Sequence, residues 1–166
     1  MDMGNIVLVG MPGVGKSTIG VILAKFAGYH FLDSDLLIQE TTGKLLREII
    51  AEQGVEGFIK VEEEVNSQIE AENTIVATGG SVVYGAKAME HLSSIGTVVY
   101  LKLECEELEK RLGDLEKRGV VLKNGQTFRD LYNEREPLYE KYAHIVVDEK
   151  NKSAEDVVRE IMTILK

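Results

Sequence analysis

The chain has 166 residues, 44% of them hydrophobic and 28% charged, with a formal net charge of -9. These values predict one compact domain with a real core and argue against broad nucleic-acid binding, which calls for a basic face. One cysteine, Cys105, cannot form an internal disulfide or a cysteine metal cluster and fits a reducing, cytoplasmic setting.

Short apolar runs alternate with longer helical patterns. The opening "MDMGNIVLVG" lacks a basic stretch followed by a long apolar run, so no signal peptide or membrane span is expected. "NIVLVG" (Asn5 to Gly10) predicts a buried strand, and "KSTIGVILAKFAG" (Lys16 to Gly28) a helix closed by glycine. "YHFLD" predicts a second strand. A long helical stretch, roughly Leu36 to Asn73, is broken near Gly43 and Gly54. "TIVATGG" (Thr74 to Gly80), "TVVYLKL" (Thr97 to Leu103) and "HIVVD" (His144 to Asp148) supply three more strands. "LEKRGVVLKNGQT" (Leu115 to Thr127) is charged and poorly periodic and reads as a mobile loop. "SAEDVVREIMTIL" closes the chain as a helix, with Ser153 as its N-cap and Asp156 three residues on. Such alternation predicts a parallel sheet with helices on both faces, an α/β fold whose ligands sit beyond the carboxyl ends of the strands. No repeat and no low-complexity segment interrupts it.

"GMPGVGKS" (Gly10 to Ser17) fits G-x-x-x-x-G-K-[ST], after a strand and before a helix. Gly13 and Gly15 let backbone N–H groups turn inward around phosphate oxygens, and the helix N-terminus favours negative charge. Lys16 supplies a formal positive charge, and Ser17 offers a hydroxyl to magnesium. With Val14 and Thr18, these residues make up the expected nucleotide site. The alternative is a plain glycine turn. The motif does not name the phosphate acceptor.

"FLDSDLL" sets Asp33 and Asp35 at the end of the second strand. If that strand neighbours the phosphate loop, one acid could serve a magnesium shell and the other could take the proton of an attacking hydroxyl. The competing reading is helix capping by "DSD". "VATGGS" ends a strand in Gly79 and Gly80, whose backbone N–H groups can approach a ligand. Arg118 lies in the mobile loop, where an arginine can close over a transferring phosphate. In "TFRDLYNEREPLYEKYA" the stripe Phe128, Leu131, Tyr132, Arg135, Leu138, Tyr139, Tyr142 puts Arg135 where an apolar residue belongs. A charge there wants an anionic partner, either a ligand or a nearby glutamate. His30, His91 and His144 lack ligand spacing, and "EEEV" and "ECEELE" read as solvated helix faces.

Taken together, "GMPGVGKST", "FLDSDLLIQETTG", "EGFIKVEEEV", "VATGGSVV", the arginine of "KRGVV" and "REPLYEKYA" resemble the shikimate kinases over essentially the whole chain. The resemblance implies a three-layer α/β/α fold of the P-loop NTPase type, with a five-stranded parallel sheet in a single kinase domain, 1–166. It implies an acceptor-binding region at about 34–73 and a lid at about 113–126. It further implies ATP and Mg²⁺, with a small hydroxy acid as the acceptor. Charge and the lack of a long apolar run predict no nucleic-acid or membrane partner, and a monomer is expected. Carried over by position, Lys16 and Arg118 stabilise the transferred phosphate, and Ser17 and Asp33 serve magnesium. Asp35 holds the acceptor hydroxyl, Gly79, Gly80 and Arg135 line the acceptor site, and Arg111 lies near the adenine.

The pattern departs from the family at "EGFIKVEEE", where Ile59 stands in place of a substrate-gripping arginine. On a helix Ile59 falls about 100° off the stripe Phe58, Val61, Val65, Ile69, towards Glu62 and Asn66, a pocket-facing position. Packing at the rim of the core is the alternative. A charge-assisted contact to a carboxylate is worth about 1.5–3 kcal/mol, so this departure leaves two readings open. The clamp on shikimate is incomplete or rearranged, or the acceptor is a different hydroxy acid or polyol. A nucleotide-binding regulatory protein without turnover is a third. Ser81 replaces a third glycine but keeps its N–H, and "RGVV" replaces the usual proline-leucine after the lid arginine.

Overall fold

The computed structural model describes residues 4–113 and 122–165. Its strands are β1 Asn5–Val9, β2 His30–Asp33, β3 Thr74–Ala77, β4 Gly96–Lys102 and β5 Ile145–Asp148, all parallel in the order β2-β3-β1-β4-β5. The helices are α1 Lys16–Ala27, α2 Ser34–Thr42, α3 Leu46–Ser67, α4 Ala86–Ile95, α5 Cys105–Leu112, α6 Phe128–Tyr142 and α7 Ala154–Leu165. Every residue of β1 and β3 is buried, because both faces of the central strands are covered. This is why they read as unbroken apolar runs.

β3 lies between β2 and β1, yet the end of β2 still neighbours the phosphate loop, where Asp33 meets Ser17. The expected third strand, Thr74 to Gly80, runs too long, since β3 ends at Ala77. Thr78 to Gly80 leave the sheet, although Thr78 still donates to the Leu8 carbonyl through both its N–H (3.2 Å) and its hydroxyl (2.7 Å). That pair holds the start of the glycine turn against β1, beside the phosphate loop.

Asn5 ties three connections together. Its Nδ2 donates to the carbonyls of Ala71 (2.8 Å) and Ile95 (2.9 Å), and its Oδ1 accepts from Thr74 N–H at 3.0 Å. The main core surrounds the sheet. A second, smaller cluster of Ile38, Ile49 and Phe58 packs α2 against α3. Burial of such side chains contributes about 1.5–3 kcal/mol each, enough to hold this helical arm over the carboxyl edge of the sheet.

The breaks expected at Gly43 and Gly54 have distinct causes. Gly43 closes α2 in the left-handed region (φ 72°). Gly54 (φ 75°, ψ 177°) is non-helical and divides α3 into two helical segments that meet at a kink beside the cleft. Ser153 and Asp156 exchange capping hydrogen bonds at the start of α7. Among the described residues no helix is long and apolar enough to cross a membrane.

Candidate active site

The phosphate loop leaves β1 and enters α1 through Gly15, whose φ of 89° a side chain would strain. Lys16 is buried, and its Nζ donates to the carbonyls of Gly10 (2.6 Å) and Met11 (3.0 Å), spanning the loop from inside. Burial lowers its pKa to about 8, an effect opposed chiefly by the negative charge of Asp35. An anion in the loop would restore the full charge of the ammonium.

Asp33 does two things at once. Its Oδ2 accepts from the Ser17 hydroxyl at 2.9 Å, while its Oδ1 caps α2 by accepting from the N–H groups of Asp35 (2.9 Å) and Leu36 (3.2 Å). The capping reading and the metal-side reading are therefore compatible. The Ser17 Oγ–Asp33 Oδ2 pair sets two hard oxygen donors together, the donor type Mg²⁺ prefers. The cap also fixes the next residues, so that Asp35 turns into the cleft. Burial raises the Asp35 pKa, helped by the Asp33 carboxylate and opposed by Lys16. A carboxylate so placed is a better proton acceptor than a free aspartate.

A cleft of about 480 Å³ opens beyond the strand ends. Asp35, Ile59, Gly79, Gly80 and Arg135 all line it. Ile59 faces the cleft with Ile50, Val55 and Phe58, giving one apolar wall on the kinked helix α3. Gly79 is needed for space: a Cβ there would lie 2.7 Å from Asp35 Oδ1 and 2.8 Å from Glu62 Oε2. A Cβ at Gly80 would meet an Arg135 Nη nitrogen and Pro12 at 2.9 Å. Arg135 is 5% exposed, so the mismatch on the apolar stripe of α6 is real. Its Nε donates to the Tyr84 hydroxyl (3.3 Å), and its guanidinium sits 5.3 Å from the Tyr84 ring centre. No carboxylate among the described residues pairs with it. Tyr139, one turn further along, donates to the Gly80 carbonyl at 2.6 Å and steadies the glycine turn from below.

Arg111 lies against the phosphate loop. Its Nη1 donates to the Gly13 carbonyl (3.2 Å) and to Glu149 Oε1 (3.4 Å). Arg118 lies outside the described residues. Val14 is buried at the crown of the loop, and Thr18 follows in the first turn of α1.

A model of the shikimate kinase family matches residues 12–166. The chain belongs to that family. It is 38% identical to a shikimate kinase of Moorella thermoacetica, over 98% of this chain and 95% of the relative. It is 37% identical to one of Nitrosomonas europaea, over 98% of this chain and 79% of the relative. Among solved structures, a shikimate kinase from Acinetobacter baumannii in complex with shikimate superposes with a TM-score of 0.89. It is 33% identical, with 98% of this chain and 93% of that chain covered. The Aquifex aeolicus shikimate kinase gives a TM-score of 0.81 at 31% identity, with 97% and 95% covered.

For a member of this family, one buried residue overturns an expectation. Glu62, in the run expected to be solvated, is 1% exposed and lines the cleft. Its Oε1 accepts from the Ser81 hydroxyl at 2.5 Å, and its Oε2 has no partner among the described residues. Burial raises its pKa to about 7, opposed by the Ser81 hydrogen bond. Its one warning in the sequence is position: it lies one turn from Ile59, on the same face of α3. Glu149 is likewise buried, with Oε2 unpartnered, and burial raises it to about 7 against the pull of Arg111. Tyr84 and Tyr139 also went unpredicted, since tyrosines on apolar stripes look like ordinary core.

Proposed function

We propose that the protein transfers the γ-phosphoryl group of ATP to a ring hydroxyl of shikimate, giving ADP and shikimate 3-phosphate in aromatic amino acid biosynthesis. The observation that carries this is a single cleft lined by a half-buried carboxylate, Asp35, and by a buried guanidinium, Arg135, beside the glycine turn, with no carboxylate among the described residues paired to it. An acceptor that presents a hydroxyl and a carboxylate matches both. The likeness to a solved shikimate kinase in complex with shikimate supports the same reading.

In that step Asp35 orients the acceptor hydroxyl and takes its proton. The freed oxygen attacks the γ-phosphorus in line, and the bond to the β–γ bridging oxygen breaks with ADP as leaving group. Lys16 and the loop N–H groups hold the phosphates, and Arg118 is assigned to the transferring group. Mg²⁺, when bound, neutralises phosphate charge, and Ser17 and Asp33 are the residues that would hold it. Arg111 is assigned to the adenine side. We treat 1–166 as one kinase domain, with 34–73 as the acceptor-binding region, from which Arg47, Ile59 and Glu62 reach the cleft. The segment 113–126 is treated as the lid, and Lys123 and Gln126 of that segment also line the cleft. The protein is assigned as a cytoplasmic monomer without nucleic-acid or membrane partners.

The apolar wall around Ile59 favours one second reading, a less anionic hydroxy acid or polyol. ADP release against an acceptor panel separates the two. Turnover with shikimate upholds the assignment, and turnover only with another acceptor replaces it.

A further inference from the structure

A carboxylate has two oxygens, and a cleft that grips one firmly usually offers donors to both. Arg135 is one such donor. Position 59, on the facing wall of α3, is apolar, so the second must come from elsewhere. Among the described residues three cationic side chains line the cleft: Arg47, Lys123 and Arg135. Lys123 is engaged by Glu134 at 3.7 Å, and Arg135 is braced on Tyr84. Arg47 is exposed and has neither a hydrogen bond nor an ion pair among the described residues.

Its place in the helix is also poor for a cation. Arg47 lies in the first turn of α3, where unsatisfied N–H groups favour acids, and the next residue, Glu48, takes the helix-capping role by accepting from Leu45 N–H at 3.1 Å. Leu46 and Ile50 flank it on the cleft side of the same helix, and the kink at Gly54 brings Val55, Phe58 and Ile59 into the same wall. Arg47 thus lines the cleft without an ion pair to any of the carboxylates that line it among the described residues, and an entering anion would give it one.

We propose that Arg47 is the second cationic contact for the acceptor's carboxylate, approaching from the α3 wall while Arg135 holds it from α6. Arg47 is thus a specificity-determining residue that replaces, from about two turns before the Gly54 kink, the guanidinium that position 59 lacks. The inference rests on the reading of this cleft as the site of a hydroxy-acid acceptor.

The test measures steady-state kinetics with shikimate and with its carboxamide, which keeps the ring and hydroxyls but loses the charge. Arg47→Ala raises KM for shikimate about tenfold or more, leaves kcat and the KM for ATP within about twofold, and leaves the carboxamide KM unchanged. Arg47→Lys recovers part of the loss. Adding Ile59→Arg to Arg47→Ala restores shikimate affinity by moving the charge along the same helix. An unchanged KM for shikimate in Arg47→Ala, or an equal loss for the carboxamide, overturns the role of Arg47 while leaving the kinase assignment standing. Absence of shikimate turnover in the unaltered protein overturns the acceptor assignment itself, and the inference with it.

Discussion

Gly79→Ala probes how closely Asp35, the proposed proton acceptor, is packed. The backbone of Gly79 lies outside the left-handed region, so alanine brings no torsional strain. The problem is space. The new Cβ would sit 2.7 Å from Asp35 Oδ1 and 2.8 Å from Glu62 Oε2, against ordinary contact beginning at 3.4 Å. One or both carboxylates must retreat by about 0.6–0.7 Å. Asp35 is short and fixed by the α2 cap, and Glu62 is buried and held by Ser81, so neither can swing away freely. A misplacement of about 1 Å can cost two orders of magnitude in rate, which sets the expected loss in kcat at about ten- to a hundredfold, or about 1.4–2.7 kcal/mol. Coupled ADP-release kinetics with shikimate measure it, with ATP affinity and the thermal midpoint as controls. A kcat within twofold of the unaltered protein would refute the claim that Asp35 is held in catalytic register by the absence of this methyl group.

Other consequences follow from named contacts. Asp35→Asn keeps the shape but cannot accept the proton, so turnover should fall by about 10²–10⁴-fold with ATP binding unchanged; retained turnover removes Asp35 from the mechanism. Because burial raises the Asp35 pKa and the reaction needs its carboxylate, activity should fall with decreasing pH at a higher pH than an ordinary aspartate would set, as a kcat/KM profile would show. Glu62 titrates at about 7 in the fold against an ordinary value of 4.5, so the folded state keeps a proton that the unfolded chain has released. Stability must then decline as pH rises through that window, and Glu62→Gln should remove roughly 2–3 kcal/mol of the decline; identical denaturation profiles from pH 5 to 8 would contradict this. Asn5→Ala leaves the Ala71 and Ile95 carbonyls and the Thr74 N–H without their bridge, and should cost about 2–4 kcal/mol in urea unfolding while sparing KM values.

Much of this architecture was legible because it depends on local pattern. The phosphate loop is a contiguous motif, and the apolar runs announce strands buried on both faces. Arg135 stood out because a charge broke an apolar period, and the breaks at Gly43 and Gly54 could be read from glycine alone. The strand order could not be read so, since parallel strands of similar composition carry no mark of their neighbours. Nothing in "FLDSDLL" tells that β3 intervenes before β1, or that Asp33 still reaches Ser17 while capping α2. Glu62 was misjudged for a related reason: a glutamate beside two others looks solvated until the turn after β3, with Ser81, packs over it. Arg47 escaped notice because an arginine at a helix start is ordinary, and only the kink at Gly54 turns its wall towards the cleft. Such facts reside in tertiary packing rather than in any window of sequence.

The central claim is that this cleft phosphorylates shikimate. Purified protein incubated with ATP, Mg²⁺ and shikimate should release ADP in step with a phosphorylated shikimate identified by mass and by phosphorus NMR at the 3-hydroxyl, and Asp35→Asn should abolish both signals. ADP release that is independent of shikimate, or product formed only from a different acceptor, would contradict it.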